Sequence, residues 1–120
     1  YVGSKGRDSM SDVLAALQET LEARKSDGAD NSYVASLYAQ GLNKILEKVG
    51  EEATETVLAA KDYDGTDAAR SAVIAETADL WFHSLVMLAH LDLRYDEVLD
   101  TLGNRIGTSG IEEKAARAKK

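Results

Sequence analysis

Apolar residues recur three and four positions apart along most of this chain and almost nowhere in strict alternation. Val13, Leu14, Leu17 and Leu21 form one stripe, and Val34, Leu37 and Tyr38 a short second one. Ile45, Leu46, Val49, Ala53, Val57 and Ala60 form a third. This repeat belongs to an α-helix with one face turned to a core. No Val/Ile/Thr-rich alternating segment suggests a strand, and no proline interrupts a helix anywhere. The pattern predicts an all-α fold, a helical bundle of about four to five helices. The first covers residues 11–25 with Ser11 as its N-cap. A short one starts after Asn31 or Ser32 and ends or bends at Gly41. The next run over 42–62, from Thr66 or Asp67 to 91, and from Tyr95 or Asp96 to 107, with a helix-prone tail at 111–119. Asp27-Gly28 and Asp64-Gly65 mark turns between them. Gly50 sits in the middle of the third helix, where it costs about 1 kcal/mol relative to alanine. That position is expected to be approached closely by another backbone or by a ligand.

The helix ending near residue 91 is apolar on nearly every side past Asp79: Leu80, Trp81, Phe82, Leu85, Val86, Met87 and Leu88. Such a helix is expected to be buried, with Trp81 in a core or an interface. Its apolar run, 80–91, is too short to span a bilayer. The polar stretch 1–9 reads as an added leader ahead of Met10; it is left out of the fold and expected to be disordered. Residues 10–120 are read as a single domain. A chain of 120 residues buries a limited share of its surface and gains by covering a face with a second copy.

Charge and composition narrow the partners. The net charge of −7 and a pI of about 4.8 argue against general nucleic-acid binding, which needs a basic footprint. The absence of cysteine excludes disulfides, zinc–thiolate sites and thiol catalysis, and is compatible with a reducing cytoplasm. No secretory signal is visible, so no membrane partner is expected.

Five carboxylates stand out. Glu51, Glu52 and Glu55 form E-E-x-x-E, and Glu76 and Asp79 form E-x-x-D. With Glu51 as the angular zero, Glu55 falls near about 40°, Lys48 near about 60° and Glu52 near about 100°. One helix face therefore gathers three acids and a lysine at the edge of the apolar stripe. Read alone, that face is as well explained by solvation. Glu76 and Asp79 change the balance, because they share a face with Leu80 and Met87 on the helix expected to be buried. Buried, unpaired carboxylates cost several kcal/mol each, so a partner is needed. A hard divalent cation, Mg²⁺, suits an all-oxygen donor set with few lysines nearby. Glu52 and Glu55 then match Glu76 and Asp79 as ligand pairs, and Glu51 is left as the candidate acceptor for a water proton. His83, one turn past Asp79, reads as a satisfied core histidine, and His90 likewise. No Walker loop is present.

These strings resemble a known family. K-V-G-E-E-A-T-E-T-V-L-A-A-K-D over 48–62, E-T-A-D-L-W-F-H-S-L over 76–85, R-I-G-T-S-G-I-E-E-K over 105–114 and S-Y-V-A-S-L over 32–37 are similar to phosphoribosyl-ATP pyrophosphatase of histidine biosynthesis. The acids alone indicate only the wider all-α nucleoside triphosphate pyrophosphatase superfamily, with its MazG-like house-cleaning enzymes, which is the alternative assignment. The resemblance implies hydrolysis of phosphoribosyl-ATP to phosphoribosyl-AMP and pyrophosphate with Mg²⁺, by a cytoplasmic homodimer. It implies metal-binding roles for Glu52, Glu55, Glu76 and Asp79, and phosphate contacts for Lys48 and Lys61. It also marks Arg105, Thr108 and Ser109 for substrate or dimer contact.

Overall fold

A computed structural model describes the backbone of residues 2–106 and the side chains of residues 13–106. The tail string over 107–114, with Thr108 and Ser109, and the helix-prone stretch 111–119 lie outside the described residues. Among the described residues the chain is all-helical. It comprises α1 (Val2–Ala23) with a 3₁₀ turn at Arg24–Ser26, α2 (Tyr33–Gln40), α3 (Leu42–Lys61), α4 (Asp67–His90) and α5 (Tyr95–Arg105).

Helix boundaries follow local chemistry. Ser32 caps α2 by accepting the Ala35 N–H at 2.9 Å, and Thr66 caps α4 by accepting that of Ala69 at 3.2 Å. Gly41 separates α2 from α3 at φ 96°, a value that favours glycine. At the start of α5 the Glu97 carboxylate accepts the Arg94 N–H at 3.0 Å. One boundary departs from expectation. α1 begins at Val2, so Ser11 lies within the helix and does not cap it. The preceding residues contain no proline to stop the helix there.

α3 and α4 form an antiparallel hairpin: Thr56 of α3 meets Glu76 of α4, and Glu52 lies across from His83. α2 packs on α3, and α1 on α4. The core is concentrated at one end of this hairpin, where Ile45 and Val86 meet Leu21, Val34, Leu37 and Ala89. The same end is tied by polar links. The Tyr38 hydroxyl donates to the Leu21 carbonyl at 2.9 Å, and Lys25 pairs with Asp92 at 2.8 Å. Gln18 accepts the Tyr95 N–H at 3.3 Å.

The expectation that α4 is buried does not hold within one chain. Only His83, Val86 and Ala89 of this helix are buried, and Trp81 is 62% exposed, so it is no core residue. The reason is that α3, α1 and α2 cover only part of α4 and no other described helix covers the rest. On α3, likewise, Leu46 and Val57 of the apolar stripe are exposed. By length and composition the whole of α4 is apolar enough to cross a bilayer, which the shorter 80–91 run was not. Glu76 and Asp79 near its middle make lipid a costly surrounding. Gly50 is solvent-exposed, and among the described residues a Cβ there would meet nothing within 4 Å, so no described backbone approaches it.

Candidate metal centre

α3 and α4 turn their acids toward each other midway along the hairpin. Thr56 fixes the approach: its Oγ1 lies 2.7 Å from the Glu52 carbonyl oxygen and 3.1 Å from that of Glu76. A side chain that reaches the neighbouring helix's backbone holds the two axes close, and the carboxylates one turn either side converge. One oxygen each from Glu52, Glu76 and Asp79 lies within 4.8 Å of the others. Glu55 adjoins both Glu52 and Glu76. Three of the four acids predicted from two pairs are thus brought together, with Glu55 beside them.

Their burial is not as expected. Asp79 is exposed and Glu76 half-buried, whereas Glu52, from the helix whose acids could pass as a solvated face, is 7% exposed. Whole-helix hydropathy misleads here because α4 is covered only around His83, Val86 and Ala89, one turn and more beyond Asp79. Glu52 instead points into the α3–α4 seam.

The electrostatics express the crowding. Burial first, then the carboxylates of Glu55 and Asp79, holds the Glu52 carboxyl above its ordinary range. For Glu76 the Glu55 carboxyl is the first cause and burial the second, again upward. Glu52 Oε2 and Glu76 Oε2 are buried with no hydrogen-bond partner. Orphaned buried carboxylate oxygens are uncommon in folded proteins. An oxygen-only donor set with two orphaned oxygens fits a hard divalent cation, and this cluster could hold one.

Glu51 and Lys48 stand beside the cluster. Lys48 Nζ is 2.9 Å from Glu51 Oε2 and 3.9 Å from Glu52 Oε1. The hydrogen bond to Lys48 holds the exposed Glu51 carboxyl below its ordinary range. Lys61 is exposed on the last turn of α3, about 9 Å along the axis from Glu55, and stands apart from the acids. Beyond Asp79 an apolar groove of about 540 Å³ opens between α1 and α4, floored by Leu17, Phe82 and Leu85 and flanked by Trp81.

His83 is a satisfied core histidine, as its apolar helix suggested. It is 6% exposed and both ring nitrogens have partners. Two residues near the site escaped the sequence reading. Tyr33, 50 positions away, meets His83, and Thr56 links the helices. No spacing rule marks either. The one available signal for Tyr33 was its place just after the Ser32 cap, which directs the first turn of α2.

Fold and site together define a class: a helical protein whose central hairpin carries a carboxylate centre suited to a hard cation. The family model for phosphoribosyl-ATP pyrophosphohydrolase matches residues 14–106, more than three quarters of the chain, and the chain belongs to that family. The matched span contains all five acids, both lysines, Tyr33 and His83.

Proposed function

We propose that this chain hydrolyses phosphoribosyl-ATP between its α and β phosphates in the second step of histidine biosynthesis. One water is consumed, and phosphoribosyl-AMP and pyrophosphate are released. The observation that carries the chemistry is the pair of orphaned oxygens on Glu52 and Glu76. The family match supports the substrate.

In this reading Glu52, Glu55, Glu76 and Asp79 hold Mg²⁺. A Mg²⁺ ion bound there would supply polarisation of the phosphoryl group and neutralisation of developing charge. Glu51 takes the proton of the attacking water. Its lowered pKa keeps it ionised at neutral pH, and its pairing with Lys48 keeps it at the rim of the cluster. Lys48, and more remotely Lys61, meets substrate phosphates. A second copy covers the exposed apolar face of α3 and α4, and the homodimer works in the cytoplasm on a small molecule, with neither nucleic acid nor membrane as partner.

Incubation with phosphoribosyl-ATP and Mg²⁺ tests this reading. Stoichiometric pyrophosphate is expected. Release of single phosphates, or no turnover, refutes it. Turnover of ordinary nucleoside triphosphates in preference to phosphoribosyl-ATP would transfer the chain to the house-cleaning activity.

A further inference from the structure

His83 is buried beside the acids, and no step above uses it. Its Nδ1 lies 2.9 Å from the Asp79 carbonyl oxygen, one turn back on α4. A carbonyl only accepts, so Nδ1 carries the ring proton and donates it. Nε2 is then an acceptor, and the Tyr33 hydroxyl donates to it at 2.8 Å. The Tyr33 ring meets the imidazole edge-on at 5.8 Å, and Phe82 does so at 5.2 Å. The imidazole is therefore held by both nitrogens and by two rings.

Its Nδ1–H edge faces the most buried acid, with Glu52 Oε1 at 4.0 Å. Lys48 Nζ is 3.9 Å from the same oxygen. The Lys48 ammonium and the edge of the neutral imidazole thus both border Oε1, while Oε2 has no partner. The Tyr33 ring is half-exposed and adds little to the core; the hydroxyl is the part that reaches inward.

We propose that Tyr33 and His83 are positioning residues for Glu52: the imidazole, held from both nitrogens, walls the Oε1 side of the carboxylate and so leaves Oε2 to face the cation. This rests on the metal reading given above. Partners that orient a metal ligand through its outer atoms commonly change affinity 10- to 100-fold or so when removed.

The test is Mn²⁺ affinity, measured by titration calorimetry on the full chain and on Tyr33→Phe, which deletes one hydroxyl from a half-exposed ring. The expected result is a Kd raised on the order of 10-fold, with far-UV dichroism unchanged. The loss in kcat/KM at low Mg²⁺ is recovered as Mg²⁺ is raised. Tyr38→Phe is the control, since it removes the hydroxyl bound to the Leu21 carbonyl, away from the acids; its Kd should match the unsubstituted chain. Equal Kd values for Tyr33→Phe and the unsubstituted chain overturn the proposal alone. Equal weakening in both tyrosine variants overturns it too, by reducing the effect to lost stability. No Mn²⁺ binding by the unsubstituted chain overturns the metal reading and this proposal with it.

Discussion

The two ends of the α3–α4 hairpin are built from similar residues and fare differently. At the packed end Ile45 and Val86 are wholly buried under α1 and α2, and Lys25–Asp92 and Tyr38–Leu21 links close the seam. At the other end Val57 and Leu58 of α3 and Ile74 of α4 stand more than half exposed, as does Trp81, which lies level with the acids. Between the two lie the acids. One side of the cluster is thus anchored to a core and the other borders an apolar face that no described residue covers. Contiguous apolar surface of this kind marks an interaction site more often than a free surface. The arrangement suits a site whose ligands are fixed by one chain and whose surroundings are completed by something else.

The sharpest way to break this comparison is at the junction. Glu52→Gln keeps the shape of the side chain and removes its charge. Activity is expected to fall by about 100-fold or more, as several kcal/mol of charge stabilisation are lost. Stability should move the other way: without metal, the variant melts higher than the parent, because one of the mutually repelling carboxylates is gone. A Glu52→Gln chain that is both active and no more stable would mean that the cluster is an ordinary ion-pair network.

The ends themselves can be set against each other. Ile45→Ala opens a cavity in the packed end and is expected to cost about 2–5 kcal/mol. Trp81→Ala on a truly exposed face should stay within roughly 0.5 kcal/mol. If a second copy covers the bare face on which Trp81 stands, Trp81→Asp instead splits the assembly in light scattering and lowers the melting temperature in a concentration-dependent manner. A chain already monomeric, indifferent to Trp81→Asp, removes the dimer from the reading.

How far these regions were legible beforehand depends on the range of the interactions that made them. Caps and turns are local, so Ser32, Gly41, Thr66 and the Asp64-Gly65 turn could be placed from their own neighbourhoods. The acids could be paired because helical spacing is regular. Which acid is buried could not be read, since burial depends on what covers a face. The apolar character of α4 suggested Glu76 and Asp79, and the seam buried Glu52. The Tyr33–His83 contact joins helices 50 residues apart and leaves no mark in either segment.

Acid titration gives a smaller effect with a definite sign. Glu52 and Glu76 both have folded-state pKa values raised above 4.5. A raised carboxyl favours the folded chain while protonated, so this contribution is present below the ordinary carboxylate range. It is lost as pH rises through the folded values. Metal-free protein should therefore lose melting temperature through these two groups as pH rises above the ordinary carboxylate range. Mg²⁺ at 100 times its Kd should restore about 2.7 kcal/mol at neutral pH. A melting temperature unmoved by Mg²⁺ counts against a metal centre.

The smallest expected change concerns Gly50, one residue from the acid cluster. Its helical position and open surroundings mean that alanine fits without strain, so Gly50→Ala should stabilise the chain by up to about 1 kcal/mol. Among the described residues nothing explains a glycine there. If activity survives Gly50→Ala intact, the residue is merely tolerated, and the region around the acids is bounded by this chain alone. If the variant melts higher yet loses kcat/KM, the missing Cβ leaves room for substrate. If it melts higher when dilute but associates less, the room is for a second copy. The last two outcomes assign to the open side of the hairpin a partner that the packed side does not need.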